Sequence, residues 1–432
     1  LHTTRRISPA TAISGSLSLP GDKSISHRYA LIGAIAGGDT RIANYSTGAD
    51  CHSTLECVRA LGIDVEAAGT SLVIHGQGLD GLRPPAADLD AGNSGSTIRM
   101  LSGILAGQSF EARIFGDESL SRRPMQRIMY PLGRMGARID ARDGQFPPLR
   151  IAGGKLRTID YTLPVPSAQV KTCILFAGLY AGGETTVTEP VRSRDHTEIA
   201  LREFGADIRV DRQRITIAGR PRLAGQDLVV PADLSSAAFF LVAALLVPGS
   251  RLDILGVGLN PTRSALLDFL VGMGARIRVP KLESSAGELI GDLEVEHSAL
   301  RGGTIDGPLT AALIDEIPVL AVLGAATEEG LTVRDAGELR IKETDRIRTV
   351  VDNLRRMGVA AEELPDGMVI PGRQKFHAAT LDSSGDHRIA MAFAVAALCA
   401  DGESAIESAE AASISFPEFW STLARCTGSP VG

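Results

Sequence analysis

Pro20-Gly21-Asp22-Lys23-Ser24-Ile25-Ser26-His27-Arg28-Tyr29 sets one ammonium, two hydroxyls, an imidazole and a guanidinium at the mouth of an apolar helix. Pro20-Gly21 breaks a preceding strand, and Asp22 or Ser24 can cap the free amides of the first turn. The helix, read as Tyr29 to Ala36, stops at Gly37-Gly38. A helix start flanked by Lys and Arg is an anion site, because both the backbone amides and the macrodipole favour negative charge there. Taken alone, the stretch reads equally as a capped surface helix with solvated charges. Its recurrence along the chain decides between the two.

The pattern of polar turn, apolar helix, glycine exit and strand returns five more times. Ala91-Gly92-Asn93-Ser94-Gly95-Ser96-Thr97 opens a helix ending at Gly107, and Pro166-Ser167-Ala168-Gln169 one ending at Gly182-Gly183. Pro231-Ala232-Asp233-Leu234-Ser235-Ser236 leads to Pro248-Gly249, Ile314-Asp315-Glu316 to Gly330, and Gly385-Asp386-His387-Arg388 to Gly402. A second helix follows in each repeat and stops at Gly62, Gly136, Gly205, Gly274 and Gly358, with a last one from Pro417 to Arg425. Six units fill the 432 residues at about 72 apiece (432/6), each reading β-α-β-α-β-β. One such unit leaves a helix face and a sheet face uncovered, so units must share cores. Six divides into two groups of three, joined near Gly225 to Pro231, and the cleft of a two-lobed protein is the default ligand site.

Composition narrows the function. A net charge of −7 supplies no global field for nucleic acid or anionic lipid, so any basic site is local. The longest apolar runs, Ala237 to Val247 and Ile389 to Ala400, are too short to span a membrane and read as core helices. Five cysteines without Cys-x-x-Cys spacing read as buried thiols in a reducing, cytoplasmic compartment, and the eight histidines show no metal-ligand spacing. Leu1 in place of Met reads as a trimmed start. Neither a dinucleotide fingerprint nor a nucleotide P-loop is present: Gly21-Asp22-Lys23-Ser24 lacks the leading glycine and loop.

Basic residues gather at helix starts in Arg122-Arg123-Pro124, Arg192-Ser193-Arg194-Asp195-His196, Asn260-Pro261-Thr262-Arg263 and Arg340 to Arg346. The macrodipole opposes each by about 0.3–1 kcal/mol unless an anion lies there. An acidic chain that makes this choice repeatedly reads as a binder of phosphate or carboxylate.

Seven stretches, in order, carry a resemblance: Lys23-Ser24-x-x-x-Arg28, Gly92-Asn93-Ser94-Gly95, Arg123-Pro124, Ser167-Ala168-Gln169, Asp315, Lys342-Glu343-Thr344-Asp345-Arg346 and Asp386-His387-Arg388. Together they resemble the 3-phosphoshikimate 1-carboxyvinyltransferase (EPSP synthase) family over the whole chain. The resemblance implies an α/β protein of two similar domains, each an inside-out barrel of three β-α-β-α-β-β units, with the active site in the interdomain cleft. One domain is expected over residues 22–231 and the other over 1–21 plus 232–432. It implies transfer of the enolpyruvyl group of phosphoenolpyruvate to the 5-hydroxyl of shikimate 3-phosphate, in aromatic amino acid biosynthesis, without metal or organic cofactor. The expected partners are these two small molecules, with no nucleic acid and no membrane, for a monomer. Glyphosate is the expected inhibitor.

Roles follow by matching positions. Asp315 resembles the base that takes the hydroxyl proton, Glu343 the acid that protonates the methylene carbon, and Lys23 the lysine that contacts both substrates and protonates the leaving phosphate. Lys23, Ser24, Arg28, Ser167, Ala168, Gln169, Arg194, Asp315 and Lys342 are expected at shikimate 3-phosphate. Lys23, Asn93, Gly95, Arg123, Gln169, Arg346 and Arg388 are expected at phosphoenolpyruvate, with His387 close by as a proton relay. Considered singly, Asp315 reads as a helix cap and Glu343 as a partner of Arg346 one turn away.

Some positions depart from the family pattern. Ala168 stands where many members have Ser, Ser96 where many have Thr, and Ile414 where many have a lysine before the last Phe-Pro. Arg194 with Asp195-His196, and Glu338 ahead of Lys342, resemble the bacterial subgroup called class II. The rival within the fold is UDP-N-acetylglucosamine enolpyruvyl transferase, which works with a loop cysteine; Arg113 to Arg122 holds none. A non-catalytic anion-binding scaffold, the third reading, predicts loss of the two carboxylates, and both are present.

Overall fold

The computed structural model describes residues 3–428, so the reading of Leu1 lies outside the described residues. The chain divides into two compact units. The first holds Gly21–Val230 with Ser284–Glu288, and the second holds Leu1–Pro20, Pro231–Glu283 and Leu289–Gly432. Each unit has its own hydrophobic core.

In the first unit the helices are α1 (Lys23–Ile35), α2 (Ala49–Ala60), α3 (Gly95–Ala106), α4 (Gln126–Met135), α5 (Ala168–Gly178) and α6 (His196–Glu203). The second unit carries α7 (Leu234–Leu246), α8 (Ala265–Gly272), α9 (Gly307–Leu313), α10 (Ile317–Ala326), α11 (Arg346–Arg356), α12 (His387–Leu398) and α13 (Phe419–Thr427). The first helix of each repeat is apolar nearly all round and buried on nearly every residue, as in α1, α3 and α5 and again in α7, α10 and α12. Helices of that kind can only sit at a centre. Accordingly α3 touches both α1 and α5, and α7, α10 and α12 touch one another. The second helices are two-faced: α4 and α11 bury Ile128, Leu132, Ile347, Val351 and Leu354 and turn Arg134, Arg348, Arg355 and Arg356 outward, while Arg346 at the start of α11 is buried.

The first unit has three four-stranded sheets of one design. Leu89–Asp90 and Glu111–Phe115 run parallel, as a strand-helix-strand crossover through α3 requires, and the hairpin Arg138–Arg142 with Phe146–Ala152 continues the sheet antiparallel. Asp160–Thr162, Glu184–Thr188, Arg214–Ala218 and Ile208–Asp211 repeat that order.

The repeat around α1 is built differently from the others. The strand preceding α1, Ser14–Ser18, pairs in parallel with Arg251–Gly258 of the second unit's first sheet. The parallel partner of Gly37–Ala43 is instead Asp227–Val229, which precedes α7. The two repeats have thus exchanged their leading strands. The chain on either side of Pro20-Gly21 and Val230-Pro231 is held within its own unit: the Asn44 side chain donates through Nδ2 to the Val230 carbonyl at 2.9 Å, and the Asp233 amide to the Pro20 carbonyl at 3.0 Å. Gly21 is needed there, since a Cβ would lie 1.8 Å from the Asn44 carbonyl oxygen.

One helix start changes. α1 begins at Lys23 and not at Tyr29, because the Asp22 carboxylate accepts the Ile25 amide at 2.9 Å and nucleates the turn earlier. The turn Ile314-Asp315-Glu316 opens α10 as read, with Glu316 at the cap position, and a short helix not read from the sequence, α9, precedes it; α9 and α10 meet at 110°, and Asp315 occupies the break. Among the described residues no single helix is long and apolar enough to cross a membrane; the bent α9–α10 pair passes by length and composition, but α10 is buried in the second unit's core.

Candidate active site

In the first unit the polar residues sit at the starts of the buried helices. Lys23, the first residue of α1, points its ammonium at Asp50 Oδ2 of α2, 2.9 Å away. One turn on, Arg28 is almost fully buried and fully engaged. Its Nη1 donates to the Ser24 carbonyl at 2.7 Å, its Nε to Thr197 Oγ1 at 2.6 Å and its Nη2 to Thr172 Oγ1 at 3.0 Å. Burial pushes the Arg28 pKa down to about 10; nearby Glu198 and Asp22 oppose the fall, and the positive charge of Arg194 adds to it. Arg194 itself lies half-buried on the turn before α6.

His27, read from the sequence as part of the exposed mouth, is buried. Desolvation, reinforced by Lys23 and Arg28, holds its pKa well below the usual value, so the imidazole is neutral. Its Nδ1 bonds Thr54 Oγ1 at 2.7 Å, Thr54 bonds Thr97 Oγ1 at 2.6 Å, and Thr97 donates to Ser94 Oγ at 2.8 Å. This chain of hydroxyls ties the start of α1 to the cap of α3.

Ser94 caps α3 by accepting the Thr97 amide at 3.0 Å, which leaves Gly95 as the first residue of the helix. Arg123 donates to Asn93 Oδ1 at 2.8 Å and to Ser119 Oγ at 3.1 Å, and is held beside this turn. Ser167 caps α5, so Ala168 is its first residue. The Gln169 side chain accepts from Arg99 Nη1 at 2.8 Å and donates to Ser96 Oγ at 2.9 Å, joining the starts of α3 and α5.

The second unit gathers carboxylates around one guanidinium. Arg346, 1% exposed at its side chain, donates through Nε to Asp386 Oδ2 at 2.8 Å and through Nη2 to Glu343 Oε2 at 2.5 Å; its Nη1 lies 3.8 Å from Asp315 Oδ1. Burial works against its charge, but Asp386, Glu343 and Asp315 outweigh it and hold the group above the ordinary arginine value. Arg388 donates through Nη1 to the Asp315 carbonyl at 2.7 Å, with Nη2 3.8 Å from Asp315 Oδ2. Asp386 caps α12 by accepting the Arg388 amide at 2.9 Å. Lys342 is half-buried, and loss of hydration lowers its pKa below the usual 10.5, while Asp315 pulls it back. His387 is buried in the first turn of α12, its Nδ1 3.9 Å from Asp386 Oδ1. Ile414 ends the short 3-10 helix Ala409–Ile414 and is half-buried.

Sequence reasoning gave no role to Asp50, Arg99, Thr172, Thr197 or Asp386. Arg99 left a trace, a lone cation inside an otherwise apolar helix one turn after Gly95. Asp50 left only the commonplace sign of an acid in a first turn. Of the two bland readings, Glu343 does pair with Arg346 one turn away, whereas the residue at the cap position of α10 is Glu316, not Asp315.

Chemically, the first unit offers cations and helix amides to phosphate, and the second offers two carboxylates and two guanidiniums to proton transfer and carboxylate binding. The comparisons agree with this inventory. The family model for EPSP synthase (3-phosphoshikimate 1-carboxyvinyltransferase) matches residues 7–423. A 3-phosphoshikimate 1-carboxyvinyltransferase of Solibacter usitatus is 76% identical over 421 residues, 98% of this chain and 99% of the relative. Its counterpart in Bacillus subtilis is 46% identical over 411 residues, 95% of this chain and 96% of the relative. A solved EPSP synthase from Acinetobacter baumannii superposes with a TM-score of 0.88 at 41% identity, covering 98% of both chains. The enolpyruvyl transferase NikO from Streptomyces tendae shares the fold, with a TM-score of 0.80 at 20% identity, over 99% of this chain and 98% of that one. These relatives do not favour the UDP-N-acetylglucosamine or scaffold alternatives.

Proposed function

The chain belongs to the EPSP synthase family, and we propose that the residues gathered at the starts of α1, α3 and α5 and around α10, α11 and α12 are those that carry the reaction. The protein transfers the enolpyruvyl group of phosphoenolpyruvate to the 5-hydroxyl of shikimate 3-phosphate and releases phosphate. The observation that carries the residue assignment is the Asp315–Arg346–Glu343 arrangement, in which one buried guanidinium faces two carboxylates at 3.8 and 2.5 Å.

In the first half of the reaction the Asp315 carboxylate takes the proton of the 5-hydroxyl as its oxygen bonds to C2 of the donor. Glu343, protonated, delivers its proton to the methylene C3, giving a tetrahedral adduct. In the second half the Glu343 carboxylate removes a proton from the new methyl group, the C2–O bond to phosphate breaks, and Lys23 gives a proton to the leaving oxygen. Arg346 and Arg388 bind the donor carboxylate. Lys23, Asn93, Gly95, Arg123 and Gln169 hold its phosphate end, where Arg123 and the α3 amides offset charge that grows as phosphate departs. His387, buried in the first turn of α12 beside Asp386, is assigned to the donor side as a proton relay. Lys23, Ser24, Arg28, Ser167, Ala168, Gln169, Arg194, Asp315 and Lys342 hold shikimate 3-phosphate. Ala168 contributes its backbone amide at the α5 start, having no hydroxyl to offer.

The free thiols of Cys51, Cys57, Cys173, Cys399 and Cys426 support a cytoplasmic setting. That one chain supplies every assigned residue supports action as a monomer. Phosphate release from phosphoenolpyruvate, assayed with shikimate 3-phosphate and separately with UDP-N-acetylglucosamine, tests the function. Turnover with the first alone is expected, and turnover with the second alone overturns it.

A further inference from the structure

Lys171 is the one lysine of the chain with a side chain that is 0% exposed among the described ion pairs, and none of the roles above uses it. It lies on α5, two residues after Gln169, and its ammonium sits 3.0 Å from Glu189 Oε2 and 2.7 Å from Glu198 Oε1. Both acids are themselves buried, at 1% and 3% exposure. They bracket residues 189–198, which run from the end of the strand Glu184–Thr188 through the turn that carries Arg194 into the first turn of α6.

Each acid reaches one step further. Glu189 accepts from the Ser193 hydroxyl and, at 3.4 Å, from the Ser193 amide, which folds the turn directly before Arg194. Glu198 follows Thr197, whose hydroxyl receives Arg28 Nε and bonds Thr172 Oγ1 at 2.5 Å; Thr172 in turn follows Lys171 on α5. Two guanidiniums assigned to shikimate 3-phosphate therefore hang on one ammonium by separate routes. Two carboxylates this deep are tolerable only with a cation among them, and burial already raises the Glu198 pKa against the pull of Lys171.

We propose that Lys171 is a positioning residue for the acceptor: it clamps both ends of the 189–198 segment and so aims Arg194, and through Thr172 and Thr197 steadies Arg28, toward an anionic phosphomonoester. This rests on the assignment of Arg28 and Arg194 to shikimate 3-phosphate. It predicts a selective effect, because the donor's contacts at Gly95, Arg123, Arg346 and Arg388 do not run through the clamp.

The test measures Michaelis constants for both substrates, kcat and thermal midpoint in Lys171→Met, Lys171→Arg and Glu189→Gln, with Arg28→Ala and Arg194→Ala as references. Lys171→Met is expected to raise the acceptor KM about 10-fold or more while the donor KM stays within about twofold, a selective loss of ground-state binding. Lys171→Arg is expected to recover part of it, and Glu189→Gln, which keeps shape and loosens only the Ser193 turn, to raise the same constant by less. If Lys171→Met does not fold, Glu189→Gln decides. A parallel rise in both Michaelis constants, or a lower melting point with both unchanged, overturns the proposal. If Arg28→Ala and Arg194→Ala themselves leave the acceptor KM unchanged, the fault lies in the site assignment and not in the clamp.

Discussion

The Arg346 guanidinium donates to the Glu343 carboxylate across 2.5 Å. An ion pair this short favours the charged carboxylate, yet the proposed mechanism has Glu343 start as an acid. The donor's own carboxylate resolves the conflict if it takes over part of Arg346: the ion pair weakens, and Glu343 becomes easier to protonate.

Binding at the donor position should therefore take up protons. Calorimetry of glyphosate binding to the acceptor complex in two buffers of different ionisation enthalpy reads that uptake without turnover. The uptake should fall in Glu343→Gln by what Glu343 contributes. Equal uptake in both proteins would show that Glu343 is not the group released.

Asp386 is 0% exposed and serves at once as the cap of α12 and as the anchor of Arg346. Asp386→Asn keeps the shape but removes the charge opposite a buried guanidinium, a change that typically costs about 3–5 kcal/mol. A lower midpoint in thermal or denaturant unfolding should come with a raised donor KM. An unchanged melting point would deny Asp386 that role.

Lys342 predicts a pH dependence. Its pKa in the folded protein lies below 10.5, chiefly because burial strips water from the ammonium. Between the folded and unfolded values the unfolded chain binds the extra proton, so this group's contribution to stability grows as pH rises through that window. Its attraction for an anion behaves oppositely and is lost as pH rises through the folded value. The acceptor KM should accordingly climb on the alkaline side from a pH below 10.5, and Lys342→Met should begin higher and stay flat. The same climb in the mutant would assign it to another group.

Much of this arrangement can be read in the chain itself. Glycine stops after each helix expose the repeat because a left-handed exit is a local demand, met at Gly62, Gly136, Gly205, Gly274 and Gly358 with positive φ. The polar turns at the starts of α1, α3, α5 and α12 are legible for the same reason, since a cap lies within three residues of what it caps. What stays hidden depends on distant partners. The exchange of Ser14–Ser18 for Asp227–Val229 leaves no local mark, because either strand would suit either sheet, and was contained only in the domain bounds that the family resemblance implied. The engagement of Arg28 with Thr172 and Thr197, the pairing of Lys23 with Asp50, and the break at Asp315 likewise need the packed helices to define them.

Gly95 shows how the structure sharpens a sequence expectation. Its backbone does not adopt the left-handed region, unlike Gly92 at φ +56°, so a methyl there is opposed by neighbouring side chains and not by backbone strain. An alanine Cβ would lie 2.8 Å from Arg99 Nη1 and 3.4 Å from Arg123 Nη1, both ends of flexible side chains. Gly95→Ala should fold with little loss of stability and should raise the glyphosate inhibition constant by more than the donor KM, because the longer inhibitor needs the space the methyl takes. Inhibition assays against varied donor, with a melting curve, check this; equal losses for both ligands would mean that displaced Arg99 and Arg123, not crowding, set the effect.

The proposed mechanism turns on Asp315 as the base that activates the acceptor hydroxyl. Asparagine at that position keeps the hydrogen-bonding shape and removes the proton acceptor. The measurement is phosphate release by Asp315→Asn under saturating phosphoenolpyruvate and shikimate 3-phosphate, alongside the acceptor's dissociation constant from calorimetry. Turnover is expected to fall by about 10²–10⁴-fold, the usual worth of a general base, with acceptor affinity little changed. Equal turnover in mutant and parent would contradict it.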